Sequence, residues 1–341
     1  MGPVAHGGHC IVRLPEPESR VVFVRHAIPG ERVTLQLTEG TEGDRFWRGD
    51  AIEVHEPSPD RVAAPCVFSG PDACGGCDFQ HVSLERQRAL KADVVREQLA
   101  RLAGLDVEVT VEPVSGDEDG LRWRTRQRFV PLPEGRHGMR KHRSHDVVPV
   151  DDCLIAGDAP SYSLRGVTFA VASDGFWQVH PGAPETLVSA VLEALGPRPG
   201  ESVLDLYAGV GLFARFLADA VAPGAVTLVE GEEAACQHAQ HNVPAADVLV
   251  GEVGAVLAAL PPEPVDLVVL DPPRVGAKRA VVEEIAGRAP RAVAYVACDP
   301  AALARDVAIF AEHGYALTSL RAFDLFPMTH HVECVALLER R

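Results

Sequence analysis

The chain has 341 residues, of which 47% are hydrophobic, and its formal net charge is −16 at pH 7. This length predicts two or three domains, and the hydrophobic content is enough for a sizeable core. Apolar runs stay below the ~18 to 20 residues of a membrane span, and the N-terminus lacks the features of a signal peptide. We therefore expect a cytoplasmic protein with reduced thiols, no membrane partner, and a monomer as the default state.

The first hundred residues fall into three segments. Residues 1 to about 56 alternate β-branched runs with Gly and Pro turn signals, which predicts a small β-barrel. Residues 57–82 are rich in Pro, Gly and Cys and lack periodicity, which predicts an irregular loop held by a ligand. Residues 83–103 have helical apolar spacing, with Ser83 as the N-cap and Gly104 as the stop.

A basic segment follows on this acidic chain. Between Leu121 and His145 there are seven arginines and one lysine against a single acid, Glu134. Residues 105–175 are predicted to be mostly strands, and a period of two puts four of these arginines on one strand face. The four are Arg122, Arg124, Arg126 and Arg128. The face is either solvated or an RNA-backbone platform, and further basic residues nearby favour the platform. They are Arg136, Arg140, Lys141 and Arg143.

From about residue 184, apolar runs alternate with helical stretches, which is typical of an α/β fold with a doubly wound parallel sheet. A last pair of runs is predicted to close the sheet as a hairpin with one antiparallel strand. The predicted strands are Ser202–Leu206, Ala225–Val229, Asp247–Val250, Val265–Leu270, Ala292–Ala297, Ala316–Asp324 and His331–Leu338.

A glycine turn follows the first of these strands, in the segment D-L-Y-A-G-V-G-L-F. Gly209 and Gly211 permit a tight turn and close approach of the backbone to a ligand. With Ala214 they also satisfy a loose dinucleotide fingerprint, so NAD is one candidate cofactor. Asp205, which precedes the glycines, suits the ammonium group of an amino acid and favours S-adenosylmethionine instead.

Acids at later strands complete the predicted cofactor site. Glu230 ends the second strand, where a carboxylate accepts hydrogen bonds from ribose hydroxyls. Near the third strand, Asp247 or Glu252 is predicted to reach the adenine edge.

Three segments carry candidate chemistry. D-P-P-R puts Asp271 at the carboxyl edge of the predicted sheet, and A-C-D-P puts Cys298 at the same edge. Amino-methylating enzymes have a similar acid-Pro-Pro signature with an aromatic fourth residue, and Arg274 in that place argues against them. H-V-E puts Glu333 near the start of the last strand. Taken singly, Cys298 fits a core cysteine and Glu333 a surface carboxylate.

Together, these groups fit one reaction. Uracil C5 is a poor nucleophile, but a thiolate that adds to C6 makes an enolate and gives C5 carbanion character. After C5 takes a methyl group, a base must remove its proton so that the thiol can leave. Cys298, Glu333 and Asp271 fit the roles of nucleophile, base and partner of the uracil polar edge. A uracil in folded RNA must also be flipped out.

With these segments, the sequence resembles the RNA 5-methyluridine methyltransferases, which act on tRNA and 23S rRNA. The resemblance covers nearly the whole chain, from an N-terminal segment that looks like an OB-like TRAM domain to the final H-V-E. It rests on the order and spacing of A-H-G-G-H, the cysteine cluster, F-W-Q-V-H-P, D-L-Y-A-G-V-G, D-P-P-R and A-C-D-P. It implies a class I methyltransferase fold and S-adenosylmethionine as the cofactor.

The resemblance also assigns residues. It implies Cys298 as the nucleophile and Glu333 as the base. The positions that contact cofactor or target base are Gln178, Tyr207, Glu230 and Asp271. The sequence departs from the family in A-C-D-P, where Ser-Cys-Asn-Pro is common, and at Leu212, where many members have an Asn that contacts the cofactor.

Cys66, Cys74 and Cys77 cluster in a chain with too few cysteines for a disulfide scaffold, which predicts a metal or catalytic site. With a distant fourth thiolate, the spacing fits zinc or an iron–sulfur cluster. The resemblance matches Cys153 as the fourth ligand and implies a structural [4Fe–4S] cluster. The expected domains are a TRAM-like barrel (1–56), an iron–sulfur and RNA-binding domain (57–175) and a catalytic domain (176–341).

Two alternatives remain open at this stage. One is a non-catalytic RNA-binding protein, and the other is an NAD oxidoreductase with an accessory metal cluster. The sequence also leaves open whether the partner RNA is tRNA or 23S rRNA.

Overall fold

The computed structural model describes residues 1–15, 18–116 and 119–341. The chain forms two compact units, each built from several segments. The first unit comprises Met1–Val94, Ser115–Ala159 and Phe326–His331, and the second comprises Val95–Val114, Pro160–Leu325 and Val332–Arg341. The division into three consecutive domains stays a prediction.

The strands range from two to eleven residues in length. In chain order they are β1 (Cys10–Arg13), β2 (Val21–Arg25), β3 (Arg32–Glu39), β4 (Phe46–Glu56), β5 (Val111–Glu112), β6 (Val130–Pro131), β7 (His137–Arg140), β8 (Val147–Pro149), β9 (Ser163–Leu164), β10 (Val167–Thr168), β11 (Val203–Leu206), β12 (Val226–Glu230), β13 (Asp247–Val250), β14 (Leu267–Leu270), β15 (Ala292–Ala297), β16 (Tyr315–Phe323) and β17 (Glu333–Arg340).

Most of the helices lie in the second half of the chain. They are α1 (Leu84–Gln98), α2 (Ala183–Leu195), α3 (Leu212–Val221), α4 (Glu233–Asn242), α5 (Val253–Ala259), α6 (Lys278–Gly287) and α7 (Pro300–Glu312). A π-helical turn, Leu99–Ala103, continues α1 and ends at Gly104, whose φ of 66° is left-handed. The predicted helix and its glycine stop are thus confirmed. No helix in the described ranges is long and apolar enough to cross a membrane.

The N-terminal part of the first unit is a four-stranded sheet in the order β1-β2-β4-β3. β2 and β4 are parallel, and the other two pairs are antiparallel. Its core contains Cys10, Val22, Val24, Ala27 and Ala51. The expected small β unit is confirmed. Among the described residues no pairing joins β1 to β3, so closure into a barrel stays a prediction.

The prediction of strands through most of 105–175 is wrong. The strands found there, β5 to β10, have only two to four residues each. The segment Arg122–Arg128 contributes one isolated bridge, from Arg124 to Ala156.

Tertiary contacts explain why the alternating arginines do not form a strand. Arg122 has a left-handed φ of 56°, which interrupts the extended backbone. Its Nη1 donates to Asp152 Oδ1 at 2.8 Å, while Trp123 beside it is fully buried. The period-two pattern therefore does not place four guanidinium groups on one strand face. The predicted RNA-backbone platform on that face is wrong.

The second unit contains an eight-stranded sheet in the order β13-β12-β11-β14-β15-β17-β16-β5. β11 to β15 are parallel, and β17 lies antiparallel between β15 and β16. β11, β14 and β15 are buried along their whole length, as expected for central strands covered on both faces. The doubly wound parallel sheet and the final hairpin are confirmed, with strand ends shifted by one or two residues.

Candidate active site

The candidate nucleophile and base meet at the carboxyl edge of the sheet. Ala297, the last residue of β15, pairs with Cys334 of β17. Because the two strands are antiparallel, the next residue on β15, Cys298, lies across from Glu333, the first residue of β17. Asp271 follows β14, the neighbour of β15, at the same edge. The sequence prediction that these three residues share one edge is confirmed.

The two carboxyl groups of this cluster influence each other. Glu333 is only 4% exposed. Burial, and then the negative charge of Asp271, raise the pKa of Glu333 well above its usual value, while Arg274 lowers it. Burial also raises the pKa of Asp271. Since two carboxylates in one desolvated site are difficult to ionise together, the pair tends to hold a proton.

The Cys298 thiol is half-buried in the same environment. Burial, followed by the charges of Glu333 and Asp271, raises its pKa to about 12, and Arg274 partly opposes this shift. Cys298 directly precedes Asp299, whose Oδ1 caps α7 by accepting from the Ala302 N–H at 2.8 Å. The partial positive charge at the start of α7 stabilises the thiolate form of Cys298. Because the raised pKa keeps the free thiol protonated, the thiol proton can be lost as the sulfur attacks a substrate.

A pocket in the second unit holds most of the candidate cofactor residues. It is lined by Phe176, Trp177, Gln178, Tyr207, Ala208, Gly209, Val210, Leu212, Phe213 and Asp271. Tyr207 directly follows β11 and has a left-handed φ of 60°, which turns the chain into the glycine loop. Leu212, the departure noted in the sequence, faces this pocket. Gln178, which is distant in sequence, is brought to it by the fold.

Backbone contacts shape the glycine turn. The Gly209 N–H donates to Glu230 Oε2 at 2.9 Å, and the Glu232 N–H donates to Glu230 Oε1 at 2.8 Å. Gly211 has a φ of 86°, and a Cβ there would lie 2.7 Å from Val243 Cγ2. The turn therefore requires glycine at residue 211 for both conformation and space.

Two acids have positions that differ from the sequence interpretation. Asp205 is fully buried, with Oδ2 accepting from the Ala214 N–H at 2.9 Å and Oδ1 without a partner in the described part of the chain. Burial raises the pKa of Asp205 to about 8. It anchors α3 to β11 and is not among the pocket-lining residues. Asp247 begins β13 and so lies at the opposite edge of the sheet, which makes its proposed reach to adenine wrong.

Glu252 lies after β13 at the carboxyl edge, as its predicted role requires. Its Oε2 accepts from the Ala255 N–H at 2.7 Å, which caps α5. A capping carboxylate still has a second oxygen, so contact with a cofactor stays a prediction.

Asp306 is a residue that the sequence reasoning missed. It is 3% exposed, and its Oδ2 accepts from the Tyr295 hydroxyl at 2.6 Å and from the Ala277 N–H at 2.7 Å. It thereby fixes the end of the loop that begins at Asp271 and contains Arg274. The available signal was a carboxylate on the apolar face of α7, among buried leucine, valine and phenylalanine side chains.

The four predicted ligand cysteines come together in the first unit. Cys66, Cys74, Cys77 and Cys153 line one small cavity. Burial raises the pKa of the Cys77 thiol to about 12, with smaller effects from Cys153 and Cys74. No three His, Cys, Asp or Glu side chains in the described ranges are arranged to hold a metal ion. The fold therefore brings together four thiols, the ligand type of an iron–sulfur cluster. In the described ranges these thiols are not arranged as ligands around a metal ion.

Comparisons with known proteins identify the family of this chain. A profile for tRNA (uracil-5-)-methyltransferases matches residues 263–341, and one for a methyltransferase small domain matches 185–295. The chain is similar to a Streptomyces coelicolor protein described as an uncharacterized RNA methyltransferase, with 45% identity over 99% of this chain and 92% of the relative.

Two further relatives are informative. A 23S rRNA (uracil(1939)-C(5))-methyltransferase of Shewanella amazonensis is 30% identical over 97% of this chain and 93% of its own. The crystal structure of a Pyrococcus abyssi tRNA (uracil-54, C5)-methyltransferase with S-adenosyl-L-homocysteine has the same fold. It shows 21% identity and a TM-score of 0.69, covering 97% of this chain and 99% of that one. The chain belongs to the RNA uracil-C5 methyltransferase family.

Proposed function

We propose that this family member converts a uridine of folded RNA into 5-methyluridine, with Cys298 as the nucleophile and Glu333 as the proton acceptor. The observation that carries the proposal is the register of β15 and β17, which sets these two residues opposite each other beside Asp271. S-adenosylmethionine, when bound, supplies the methyl group. Family membership leaves no support for an NAD oxidoreductase or a non-catalytic RNA-binding protein.

Cys298 begins the reaction by losing its thiol proton to water and forming a bond from sulfur to uracil C6. The C5–C6 electron pair shifts to give an enolate, whose C5 then bonds to the methyl carbon as the sulfonium carbon–sulfur bond breaks. Glu333 next removes the C5 proton. The C5–C6 double bond re-forms, the bond from sulfur to C6 breaks, and Cys298 is regenerated.

The electrostatics of the cluster suit these steps. A carboxylate whose pKa is raised by burial and by a nearby acid, as that of Glu333 is, is a stronger base than one in water. Asp271 is assigned to the polar edge of the uracil. Arg274, which lowers the pKa of both Cys298 and Glu333, stabilises negative charge at the reacting end of the site.

The pocket beside this cluster is the proposed binding site for the methyl donor. Gln178, Tyr207 and Gly209 line it with Asp271, and Gly211 shapes its turn. Glu230 and Glu252 lie at the carboxyl ends of β12 and β13, where carboxylates reach ribose hydroxyls and an adenine edge. The shape of the turn and the lining residues support this assignment.

We assign a structural [4Fe–4S] cluster to Cys66, Cys74, Cys77 and Cys153, because all four thiols line one cavity. When bound, the cluster would cross-link the loop 66–77 to Cys153 near the end of the basic segment. A purified protein that is colourless and contains zinc in place of iron and sulfide would contradict this assignment.

We propose 23S rRNA as the substrate. The support is the 30% identity, over nearly the full length, to a relative named for a 23S rRNA uracil. Methyl transfer to 23S rRNA fragments and to tRNA, followed by mass mapping of 5-methyluridine, separates the two. Modification of tRNA alone would overturn the choice of RNA and leave the reaction class intact.

The residue roles are tested by trapping the reaction. Cys298→Ala should bind RNA without methylating it. Glu333→Gln should stall after methyl transfer and accumulate a covalent RNA–protein adduct that survives a denaturing gel. The matched control is Cys10→Ala, which removes a buried cysteine of the N-terminal sheet and should keep activity. Turnover by Cys298→Ala, or an adduct formed by the Cys298→Ala/Glu333→Gln double variant, would refute the assignment.

A further inference from the structure

A cavity of about 450 Å³ lies in the first unit, and none of the residues assigned above lines it. We call it the basic cavity. Strands β2, β3 and β4 form one side, and the loop 71–73 and the turn 141–146 form the rest. Its lining includes Arg25, Arg48, Lys141 and Arg143, together with His9 and His142. The turn belongs to the basic segment of the sequence, so part of that segment contributes to a pocket and not to a strand face.

Several side-chain nitrogens at this cavity are buried without a hydrogen-bond partner in the described ranges. Three are the donors Arg25 Nε, Arg25 Nη2 and Arg48 Nε, and two are the Nε2 atoms of His9 and His142, which donate in one tautomer of the ring. Buried polar groups of native proteins are nearly always hydrogen-bonded. A guanidinium with two unused N–H groups on one edge is shaped for a bidentate acceptor with two oxygens, as in a phosphate.

The acidic residues around the cavity do not use these donors. Glu39 pairs with Arg143 at 3.0 Å and with Nη1 of Arg48 at 3.7 Å, and Asp72 pairs with Lys141 at 2.6 Å. Asp50 is buried, and its pKa is raised by that burial although Arg25 opposes the shift. The guanidinium of Arg25 therefore keeps unused donor capacity.

The two imidazoles add neutral donors. Burial is the main cause that lowers the pKa of His9 and of His142, each to about 4. Both rings are therefore neutral at pH 7, and each has one N–H to donate. Together, the charged guanidinium of Arg25 and the neutral N–H groups of the two imidazoles suit an oxyanion with several acceptor oxygens.

We propose that the basic cavity binds a phosphate of the RNA backbone, with Arg25 as its main ligand and His9 and His142 as additional donors. The inference rests on the proposed function in taking RNA as the substrate. The cavity volume exceeds that of one phosphate, which leaves room for the attached sugar, and Phe23 on its wall offers an apolar surface. Arg143, half-exposed at the rim, lies where the continuing backbone would pass.

The test compares Arg25→Gln with Arg13→Gln, an exposed arginine of β1 that donates to the Ser19 carbonyl. RNA binding by the full-length protein is measured over a series of salt concentrations. Arg25→Gln should weaken RNA binding about tenfold and reduce the salt slope by about 1, as expected for one lost phosphate contact. Arg13→Gln should match the wild type. The KM for RNA should rise, whereas kcat at saturating RNA should stay unchanged.

A wild type that binds and methylates RNA, with Arg25→Gln equal to it, overturns the phosphate site alone. Arg25-dependent RNA binding without methylation supports the site and refutes the proposed function, and a wild type without RNA affinity refutes both. Binding of inorganic phosphate through Arg25, with RNA affinity independent of Arg25, would show a free-anion site and contradict the proposal. If Arg25→Gln does not fold, Arg143→Gln should show a reduced salt slope.

Discussion

Asp306 offers a test of how the fold positions its reacting groups. Replacing it with Ala leaves the buried Tyr295 hydroxyl without an acceptor, and leaves the Ala277 N–H with only the Tyr295 oxygen, at 3.2 Å. A buried donor that loses its partner costs about 1–3 kcal/mol, so the free energy of unfolding should fall by at least that amount. Asp306→Asn keeps one acceptor oxygen and loses the charge, which should cost about 1–2 kcal/mol.

The functional consequence follows from the loop that Asp306 holds. The loop contains Asp271 and Arg274, and misplacing reacting groups by about 1 Å can cost 10²-fold in rate. At a temperature where Asp306→Asn is fully folded, we expect a kcat roughly tenfold below wild type, with the KM for RNA unchanged. The pH dependence of kcat should also shift, because Arg274 affects the pKa of Glu333 and Cys298.

Urea denaturation and single-turnover methyl transfer provide the measurements. The control is Asp219→Ala, which breaks an exposed i,i+4 ion pair with Arg215 and should change the free energy of unfolding by under about 0.5 kcal/mol. Wild-type kcat and an unshifted pH profile in folded Asp306→Asn would show that Asp306 has no part in positioning the loop.

Three other predictions concern buried groups. Because the folded pKa of Asp205 is about 8, above its unfolded value of about 3.9, the folded state binds more protons; the free energy of unfolding should fall as pH rises between these values. Asp205→Asn should flatten that slope in denaturation curves across this range, and an unaltered slope would count against it. Gly211→Ala should lower stability by about 1–3 kcal/mol and weaken S-adenosylmethionine binding in calorimetry, whereas wild-type affinity would mean that the turn tolerates a Cβ. Cys77→Ser should lower the iron content and the melting temperature together, and full iron content would exclude Cys77 as a ligand.

The strands of the second unit could be predicted well because the composition of each strand is enough to identify it. β14 and β15 are unbroken apolar runs, and such runs indicate central parallel strands whatever surrounds them. The site followed from the same logic, because residues that come just after parallel strands meet at one edge. The positions of Cys298 and Asp271 could be predicted from this rule alone, whereas the position of Glu333 could be predicted only together with the final hairpin.

The basic segment could not be predicted from local pattern. The backbone at Arg122 is left-handed, and its side chain pairs with Asp152, thirty residues along the chain. Alternation of side chains indicates a strand only when the backbone is extended, and distant contacts decide this. Asp306 was missed for a related reason, since helical periodicity identifies an apolar face but does not tell why an acid lies on it.

The interleaving of the two units constrains how this protein can evolve. Phe326–His331 belongs to the first unit although it lies between segments of the second. Within the first unit, the Met328 N–H donates to Gln87 Oε1 at 2.8 Å, and His330 Nδ1 lies 2.6 Å from Asp78 Oδ2. A recombination event that exchanged the N-terminal half of the gene would leave this short segment with foreign partners. The first unit is therefore inherited together with six residues that lie just before β17, so a change in either part must remain compatible with the other.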